Sequence, residues 1–362
     1  MKSSSKSIVI LYPGLKDKPI GGLKVIYDYA NRLASDNFNV NIIYASFFEH
    51  IYPKTFDKLR CILKHLYLKQ IRRRKKCSWY HLDKRIKETF VWEYSSNNIP
   101  DADIYISTAV STVDYMMRYA QKDKSKFYFI QDYENFIYNN DSYILNTYKL
   151  GCTKIVISNW LKDIVEKITE KKVYIVPNGF DHNLYKLIIP IEDKNKFQIS
   201  MLYHKREAKD IQTGINALKI VKRHIPELIV NMFGVYDRPK ELPEWIRYYK
   251  NPTHEKHLEI NNTSAIYLGS SKKEGWGLTI GEAMMCGQAV VCTDNLGYKE
   301  MAVDGINALI SPIGNAELLA ENTIRLIKND ELRHLIAKKG LEMIKDFDIE
   351  KSYESFNNII SE

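Results

Sequence analysis

Two glutamates separated by seven residues carry the clearest chemical signal in this sequence. Glu274 stands in a glycine-flanked loop, and Glu282 lies about one turn into a helix predicted to begin at Leu278. Gly275, Gly277 and the first N–H groups of that helix can surround an anion, because unpaired amides and the positive end of the helix dipole point there. A carboxylate does not itself bind phosphate, but it accepts hydrogen bonds from hydroxyls. The pattern therefore fits a nucleotide sugar, with phosphates in the middle and a sugar at each end; the alternative is a pair of solvated surface charges.

Two further stretches follow predicted strands in the N-terminal half of the chain. Gly21 and Gly22 open a helix after the first strand, and without side chains they let the backbone approach a ligand closely. Residues 130–134, Ile-Gln-Asp-Tyr-Glu, bring an amide and two carboxylates to the end of a strand, where open α/β sheets bind ligands. The alternatives are an ordinary turn for the glycines and an Asx turn or helix cap for the acids.

Alternating strands and helices position these residues. A buried strand at 7–11, a Gly/Pro-containing loop, a helix at 23–35 and a strand at 40–44 predict the opening of a doubly wound α/β domain. The first series continues with strands predicted at 104–107, 126–131, 154–158 and 173–176 and helices near 112–120 and at 159–169. A second alternating series begins with a strand at 197–203 and continues with strands at 228–233, 263–268 and 289–293. Its predicted helices are 211–224, 278–286, 318–329 and 331–346. The predicted fold class is therefore α/β, with two doubly wound domains facing each other across a cleft that holds the ligand.

The Glu-x7-Glu segment also resembles a known family. The run EGWGLTIGEAMMCGQAVVCTD, residues 274–294, is similar to the signature of glycosyltransferase family 4, whose members are retaining enzymes with two Rossmann-like domains, the GT-B fold. Residues 21–24 match the family's N-terminal Gly-Gly loop, and residues 176–181, Val-Pro-Asn-Gly-Phe-Asp, match its linker motif.

Two more stretches extend the resemblance over most of the chain. Residues 203–218, YHKREAKDIQTGINAL, are similar to the family's basic phosphate motif, and residues 304–321 match its C-terminal stretch. One departure lies in the basic motif, where Lys209 is followed by Asp210 and the family usually has glycine.

The resemblance implies roles for the matching residues. Glu274 contacts hydroxyls of the transferred sugar, Glu282 holds the ribose, and Arg206 and Lys209 neutralise the diphosphate. Cations and oriented amides at that place stabilise the charge that develops when the bond from the sugar C1 to phosphate breaks. The implied donor-binding residues are Gly21, Gly22, Arg206, Lys209, Glu274, Gly275, Trp276, Gly277, Leu278, Thr279 and Glu282. Solvated loop charge is the alternative for the two cations.

The "QDYE" run, residues 131–134, is similar to that of rhamnosyltransferase-like members of the family, where many others carry a histidine nearby. It implies acceptor or sugar contacts by Gln131, Asp132, Tyr133 and Glu134. The residues expected in catalysis are Glu274, Arg206, Lys209 and Asp132. No side-chain nucleophile is assigned, because the family's retaining reaction is described as front-face attack assisted by the leaving phosphate.

The expected domain bounds follow from the same motifs. Residues 1–180 are expected to form an acceptor-side domain with a basic insertion at 54–87, and residues 181–195 a linker. Residues 196–345 are expected to bind the nucleotide sugar, and residues 346–362 to form a helix whose packing on the first domain is left open.

No metal or other cofactor is expected. The Asp-x-Asp pair at 101–103 precedes its strand rather than ending it. The cations Arg206 and Lys209 are therefore expected to take the place of a divalent ion at the diphosphate.

Positive charge is concentrated in one segment. Residues 54–87 hold thirteen Lys and Arg against two Asp, a local net charge of +11 in a chain whose total is +9. Phe56, Leu59, Leu63 and Leu66 fall at helical spacing between basic residues, which is typical of a helix on an anionic bilayer. The expected membrane-contacting residues are Arg72, Arg73, Arg74, Lys75, Lys76 and Trp79. A helix packed on its own domain is the alternative, and a nucleic-acid partner is not expected.

The remaining features place limits on the class of protein. No apolar run reaches the length needed to span a bilayer, and no signal peptide is visible. Five cysteines without a Cys-x-x-Cys pair predict reduced thiols in a cytosolic protein. We therefore expect a cytoplasmic protein that lies peripherally on the inner face of the cell membrane.

The predicted function is retaining transfer of a hexose or deoxyhexose to a glycan or lipid-linked acceptor in bacterial surface polysaccharide synthesis. Two alternatives stay open at this point: a nucleotide-sugar epimerase of the same fold, and a non-catalytic protein that binds polyanions through the basic segment.

Overall fold

The chain divides into two compact units, each built around one parallel sheet. The first consists of Met1–Pro177 with Tyr353–Glu362, and the second of Asn178–Ser352. The computed structural model describes residues 5–14, 18–48, 59–63, 65–67, 70, 79–135 and 140–362.

In the part of the first unit that the structure describes, the sheet has seven strands in the order β3-β2-β1-β4-β5-β6-β7. The strands are β1 (Ser7–Pro13), β2 (Asn39–Ala45), β3 (Lys87–Val91), β4 (Ile104–Ser107), β5 (Ser125–Ile130), β6 (Thr153–Val156) and β7 (Val173–Ile175). The helices are α1 (Gly21–Ser35), α2 (Val110–Tyr119), α3 (Asp141–Tyr148) and α4 (Asn159–Glu166). The strand order reverses between β1 and β4, which pair in parallel. That switch point is where doubly wound sheets leave room for a ligand.

The sheet of the second unit has six strands in the order β10-β9-β8-β11-β12-β13. The strands are β8 (Asn195–Leu202), β9 (Ile229–Gly234), β10 (Ile246–Lys250), β11 (Ser264–Gly269), β12 (Ala289–Thr293) and β13 (Ala308–Ser311). The helices are α5 (Ile211–His224), α6 (His254–Thr263), α7 (Leu278–Met285), α8 (Ala316–Lys328) and α9 (Asp330–Ile344). Here the switch point lies between β8 and β11, which pair in parallel.

The last helix, α10 (Ile349–Ser361), runs from the second unit into the first. Phe356, which is 2% exposed, packs on Tyr29 and Phe129 with ring centroids 4.7 and 5.5 Å away. The Tyr353 hydroxyl donates to Asp36 Oδ2 at 2.5 Å. The end of the chain therefore completes the core of the first unit.

The two-sheet α/β fold predicted from the sequence is confirmed, and several elements match residue for residue. The strand 104–107, the helix 211–224 and the strand 289–293 begin and end where they were predicted. Three strands and two helices were missed: β3, β10, β13, α3 and α6. All three missed strands lie at sheet edges. An edge strand tolerates polar residues, as in Lys-Glu-Thr-Phe-Val of β3, so its apolar signal is weak.

Two expectations about the class of protein can be compared with the described residues. Within them, no helix combines the length and the apolar character that crossing a bilayer requires. Cys152, Cys286 and Cys292 are buried thiols outside any disulfide.

Candidate functional site

Two loops meet at the switch point of the second sheet. The loop after β8 carries Arg206 and Lys209, and the loop after β11 carries Glu274. The backbone N–H groups of Lys272 and Lys273 donate to the Ala208 carbonyl at 2.8 and 3.2 Å. These bonds fasten the basic loop to the acidic loop, so residues distant in sequence share one edge of the sheet.

Lys209 and Glu274 form an ion pair at this edge. Lys209 Nζ lies 2.6 Å from both Oε1 and Oε2 of Glu274. The two side chains are 17% and 10% exposed. A pair this withdrawn from water interacts more strongly than a surface pair, and it places a cation and a hydrogen-bond acceptor side by side.

Ser271 and Gly297 also support Glu274. Ser271 Oγ donates to Glu274 Oε1 at 2.7 Å. Gly297 packs closely against the backbone and Cβ of Glu274. A Cβ at Gly297 would lie 2.5 Å from the Glu274 carbonyl oxygen and 2.7 Å from the Glu274 Cβ. Glycine at position 297 therefore leaves the space that Glu274 occupies.

His204 positions the start of the basic loop. The backbone N–H of Arg206 donates to His204 Nδ1 at 3.0 Å, and Tyr236 Oη lies 3.4 Å from His204 Nε2. Burial lowers the pKa of His204 to about 4, and the cations Lys209 and Arg206 act in the same direction. The imidazole is therefore neutral near pH 7, which leaves Nδ1 able to accept the bond from Arg206.

Asp210 explains the departure from the family's basic motif. Its backbone has φ 41° and ψ 49°, in the left-handed region that glycine adopts most readily. Asp is one of the few residue types that tolerate this conformation. Its Oδ2 accepts from Thr213 Oγ1 at 2.8 Å, so the side chain adds a local bond that glycine lacks.

Helix α7 carries Glu282 just beyond its first turn, as predicted. The helix begins after Gly277, whose φ of 107° and close approach to the Tyr298 ring both require glycine. Glu282 is 8% exposed, so this carboxylate is mostly withdrawn from solvent. Gly281 lies against Phe180, and a Cβ there would be 2.0 Å from Phe180 Cζ. The absence of a side chain at Gly281 therefore lets the helix pack close to that ring.

The other predicted donor-binding residues of the second unit surround the start of α7. Trp276 is 3% exposed and its ring packs edge-on against Phe347 at 5.3 Å. Gly275 is buried, whereas Leu278 and Thr279 in the first turn are half-buried. The second unit thus brings Arg206, Lys209 and the residues 274–282 to one edge.

In the first unit, the Gly-Gly loop and Gln131 come together. Gly21 and Gly22 form the first residues of α1, and Gln131 follows β5. Gln131 Nε2 donates to the Gly22 carbonyl at 3.2 Å. A Cβ on Gly22 would lie 3.4 Å from Gln131 Oε1, an ordinary contact distance, so this contact does not itself require glycine.

The three residues after Gln131 are held by local contacts. Asp132 Oδ1 accepts from the N–H of Tyr133 at 2.9 Å. Glu134 Oε2 accepts from the N–H of Val110 at 3.1 Å, which caps the start of α2. Burial and a hydrogen bond with Asp141 raise the pKa of Tyr133 to about 12. The capping alternative thus has a structural basis for Glu134.

The basic segment is described only in part. The predicted membrane residues Arg72, Arg73, Arg74, Lys75 and Lys76 lie outside the described residues. Trp79 stacks on Tyr27 with ring centroids 5.7 Å apart, and Tyr80 donates to Asp28 Oδ1 at 2.6 Å. These contacts attach the end of the segment to α1, which gives Trp79 a packing role within the first unit.

Residues 59–63 and 65–67 are helical. Of the predicted apolar stripe, Phe56 lies outside the described residues, and the three leucines face outward. Leu59, Leu63 and Leu66 are 56%, 62% and 57% exposed, whereas Cys61 and His65 are buried. His65 Nδ1 lies 2.8 Å from Ser46 Oγ. The helix therefore contacts its unit through Cys61 and His65, and the leucines are not its packing face.

In the part of the chain that the structure describes, no group of three or more His, Cys, Asp or Glu side chains could hold a metal ion.

Several residues that support Glu274 were not predicted from the sequence. Ser271 binds its carboxylate, Tyr298 binds Ser271, and Asn295 binds the backbone of both. The sequence signal was the polar run Thr-Asp-Asn at 293–295. This run ends the predicted strand 289–293, which lies beside β11, the strand that precedes the Glu274 loop. Parallel strands end at the same edge, so that run marks the site.

Part of the chain is similar to known glycosyltransferases. Residues 188–343 match the family model described as "Glycosyl transferases group 1", and they lie within the second unit. An uncharacterized glycosyltransferase of Methanocaldococcus jannaschii is 24% identical over 255 residues, 66% of this chain and 63% of that protein. The O-antigen chain mannosyltransferase B of Escherichia coli is 27% identical over 103 residues, 28% of this chain and 26% of that protein. The matches thus span less than two thirds of these relatives.

The fold also matches solved structures. Anabaena HepE in complex with UDP-glucose superimposes with a TM-score of 0.73 at 15% identity, covering 98% of this chain and 99% of that chain. The two parallel-sheet units therefore have the GT-B fold. Within that fold, residues 188–343 are similar to the group 1 glycosyl transferases.

Proposed function

We propose that this protein is a glycosyltransferase that moves a sugar from a nucleotide-diphosphate sugar to an acceptor hydroxyl. The observation that carries the proposal is the Lys209–Glu274 pair, held at the switch point of the second sheet. Both residues lie within 188–343, the stretch that matches the family model of group 1 glycosyl transferases. That position is where doubly wound sheets bind ligands, and the pair combines a cation with a hydroxyl acceptor.

The chemistry of the pair suits transfer from a diphosphate. When the C1–oxygen bond breaks, the electrons stay on the diphosphate and its negative charge grows. Lys209 and Arg206 can stabilise that charge more in the transition state than in the bound donor. Glu274 can accept hydrogen bonds from the sugar, and Glu282, mostly buried on α7, can accept them from the ribose.

We propose retention of configuration through front-face attack, with no side-chain nucleophile, following the resemblance to family 4. Asp132 and its neighbours Gln131, Tyr133 and Glu134 remain the proposed contacts to sugar or acceptor. Lys209 and Arg206 supply positive charge at the diphosphate, so we propose that the reaction needs no divalent cation. Hexoses and deoxyhexoses are the proposed transferred sugars.

The proposed acceptor is a glycan or a lipid-linked glycan of bacterial surface polysaccharide synthesis. The similarity to an O-antigen chain mannosyltransferase supports this role, and the HepE complex with UDP-glucose supports a nucleotide sugar as donor. A lipid-linked acceptor lies at a membrane, which connects this proposal to the basic segment.

We further propose that the protein acts peripherally on the cytoplasmic face of the cell membrane. Support comes from the outward leucines at 59, 63 and 66 and from the thirteen basic residues within 54–87. A basic amphipathic helix places its apolar face in the headgroup layer of an anionic bilayer. Each nearby cation adds on the order of 1 kcal/mol.

Donor binding is tested first with a thermal-shift panel of UDP-glucose, UDP-galactose, UDP-N-acetylglucosamine, GDP-mannose and dTDP-rhamnose. A ligand that binds the native state raises its melting temperature by mass action. Glu282→Ala should weaken binding of the selected donor by roughly tenfold, because hydrogen bonds to a charged group contribute about 1.5–3 kcal/mol. Glu321→Ala, an exposed glutamate on α8, is the matched control and should leave affinity unchanged.

Transfer itself is measured as acceptor-dependent release of nucleoside diphosphate. Lys209→Ala should lower kcat/KM on the order of 10²-fold, as loss of a transition-state electrostatic contact does. Lys219→Ala, exposed on α5, serves as the control. Donor consumption without any acceptor would favour the epimerase. Full activity of Lys209→Ala would contradict the proposed site.

Membrane association is measured by flotation with phosphatidylglycerol vesicles and with phosphatidylcholine vesicles. Binding should require the anionic lipid and weaken at high salt. Replacing Leu59, Leu63 and Leu66 by Ser should abolish it, whereas Leu335→Ser, which changes a 51% exposed leucine on α9, should not. Equal flotation of both variants would refute the membrane proposal.

A further inference from the structure

A buried hydrogen-bond chain leads from Tyr298 to the Glu274 carboxylate. The Tyr298 hydroxyl donates to Ser271 Oγ at 3.2 Å, and Ser271 Oγ donates to Glu274 Oε1 at 2.7 Å. Ser271 and Tyr298 are 4% and 2% exposed. Neither residue belongs to the set that sequence analysis assigned to the donor.

The structure assigns Ser271 and Tyr298 as positioning residues for Glu274. They hold its carboxylate in place when Lys209 moves from Glu274 to the diphosphate of the donor. This inference rests on the proposed function. It concerns how the Glu274 carboxylate keeps its place when Lys209 leaves it for the diphosphate of the donor.

The two carboxylate oxygens are held differently. Oε1 accepts from both Ser271 and Lys209, whereas Oε2 accepts from Lys209 at 2.6 Å. When Lys209 turns to a phosphate, Oε1 keeps the bond from Ser271. Oε2 then faces a sugar hydroxyl without a competing cation, which is the arrangement a hydroxyl acceptor needs.

The chain is itself held in place by the loop after β12. The Ser271 carbonyl accepts from Thr293 Oγ1 at 2.5 Å and from Asn295 Nδ2 at 3.1 Å. Asn295 Oδ1 in turn accepts from the N–H of Tyr298 at 3.0 Å. The loops after β8, β11 and β12 therefore all help to hold the Glu274 carboxylate.

Two glycines leave the space that the Tyr298 side chain occupies. A Cβ on Gly269 would lie 3.0 Å from the Tyr298 hydroxyl, and a Cβ on Gly277 would lie 2.7 Å from its ring. Burial raises the pKa of Tyr298 well above its usual value, so the hydroxyl stays protonated and able to donate. The ring cannot turn away without opening these contacts.

The test is a double-mutant cycle of Tyr298→Phe and Ser271→Ala. The substrates are the nucleotide sugar selected by the thermal-shift panel and its matching nucleoside diphosphate. Tyr298→Phe should lower kcat/KM for transfer by about 3- to 10-fold, and Ser271→Ala by about 10- to 100-fold, as loss of a neutral bond and of a charge-assisted bond do. Affinity for the nucleoside diphosphate, which lacks the sugar, should change by less than about twofold.

The two effects should not multiply. Because Tyr298 acts through Ser271, the double variant should match Ser271→Ala alone. Tyr185→Phe, which deletes a buried hydroxyl bonded to His257 Nδ1 at 3.1 Å, is the control and should leave transfer unchanged. Tyr298→Phe is the milder variant and keeps the test valid should Ser271→Ala fail to fold.

Independent multiplication of the two effects, or equal weakening of nucleoside diphosphate and nucleotide sugar, would overturn the assignment. Absence of donor binding and transfer in the wild-type protein would instead sink the proposed function, and the assignment with it. Wild-type transfer with a Tyr298→Phe variant of full activity would remove the assignment alone.

Discussion

Lys209 and Glu274 neutralise each other, and both side chains are more than four-fifths withdrawn from solvent. Separating such a pair leaves a poorly solvated charge, which is costly unless another partner replaces the lost one. An incoming diphosphate is such a partner for Lys209, and sugar hydroxyls are suitable partners for Glu274. The pair therefore favours a ligand that carries both groups over one that carries only one of them.

His204 connects this site to pH. Its pKa is about 4 in the folded protein against an ordinary value of 6.5, chiefly because burial disfavours the imidazolium. Between these values the unfolded chain takes up a proton that the folded protein does not. The free energy of unfolding should therefore fall as pH drops from 6.5 towards 4, by at most about 1.4 kcal/mol per pH unit for this group.

The check is chemical denaturation of the wild-type protein and of His204→Asn across pH 5 to 7. Asparagine can still accept from the Arg206 N–H but does not titrate, so the variant should lose stability less steeply on acidification. Identical slopes for the two proteins would show that His204 does not contribute. His257, whose pKa is also lowered to about 4 by burial, remains in both proteins and cancels in the comparison.

At the scale of elements, close backbone contacts hold the helices that carry the site. Helix α7 approaches the Phe180 ring at Gly281, and α5 approaches Met201 at Gly214, where a Cβ would lie 2.2 Å from the Met201 Cε. Both glycines allow a helix to pack where a side chain would clash. They differ in what they meet, since a buried ring is stiff and a methionine end is flexible.

Gly281→Ala should therefore cost more stability than Gly214→Ala. Both variants gain about 1 kcal/mol of helix propensity, but overpacking against a ring typically costs about 1–3 kcal/mol. Gly281→Ala should also weaken donor binding, because the adjacent Glu282 moves with α7. Denaturation curves and thermal shift with the selected donor measure the two effects, and a more stable Gly281→Ala protein would contradict this account.

At the scale of the whole molecule, the chain leaves the first unit at Pro177 and returns to it at Tyr353. The core of the first unit thus depends on residues that follow the entire second unit. Phe356, Ile359 and Ile360 are 2%, 8% and 2% exposed there.

Phe356→Ala should destabilise the first unit by about 3–5 kcal/mol, the usual range for a large aromatic deleted from a core. Hydrogen exchange should quicken in α1 and β5, whose Tyr29 and Phe129 contact Phe356, and should stay unchanged in β8 and β11. Tyr353→Phe, which removes only the hydroxyl bonded to Asp36, should produce a much smaller change. Equal loss of protection in both sheets would argue against independent cores.

Much of this architecture was predictable because buried parallel strands and amphipathic helices leave strong local patterns. The central strands β1, β4, β5, β8 and β12 and the helix that carries Glu282 were all anticipated. Residues 274, 282, 206 and 209 were singled out from residue type, spacing and family resemblance. The edge strand β3 was missed because Lys-Glu-Thr-Phe-Val is mostly polar, as edge strands tolerate. The edge strand β13, Ala-Leu-Ile-Ser, is apolar and mostly buried, but it has only four residues.

The sequence alone determined which residue types stand at the strand ends, since that information is local. Only the tertiary structure decided which of them touch. The pairing of Lys209 with Glu274 spans 65 residues, and the bond from Tyr298 to Ser271 spans 27. It also decided that Leu59, Leu63 and Leu66 face outward, because helical spacing defines a stripe but not the direction in which the stripe points.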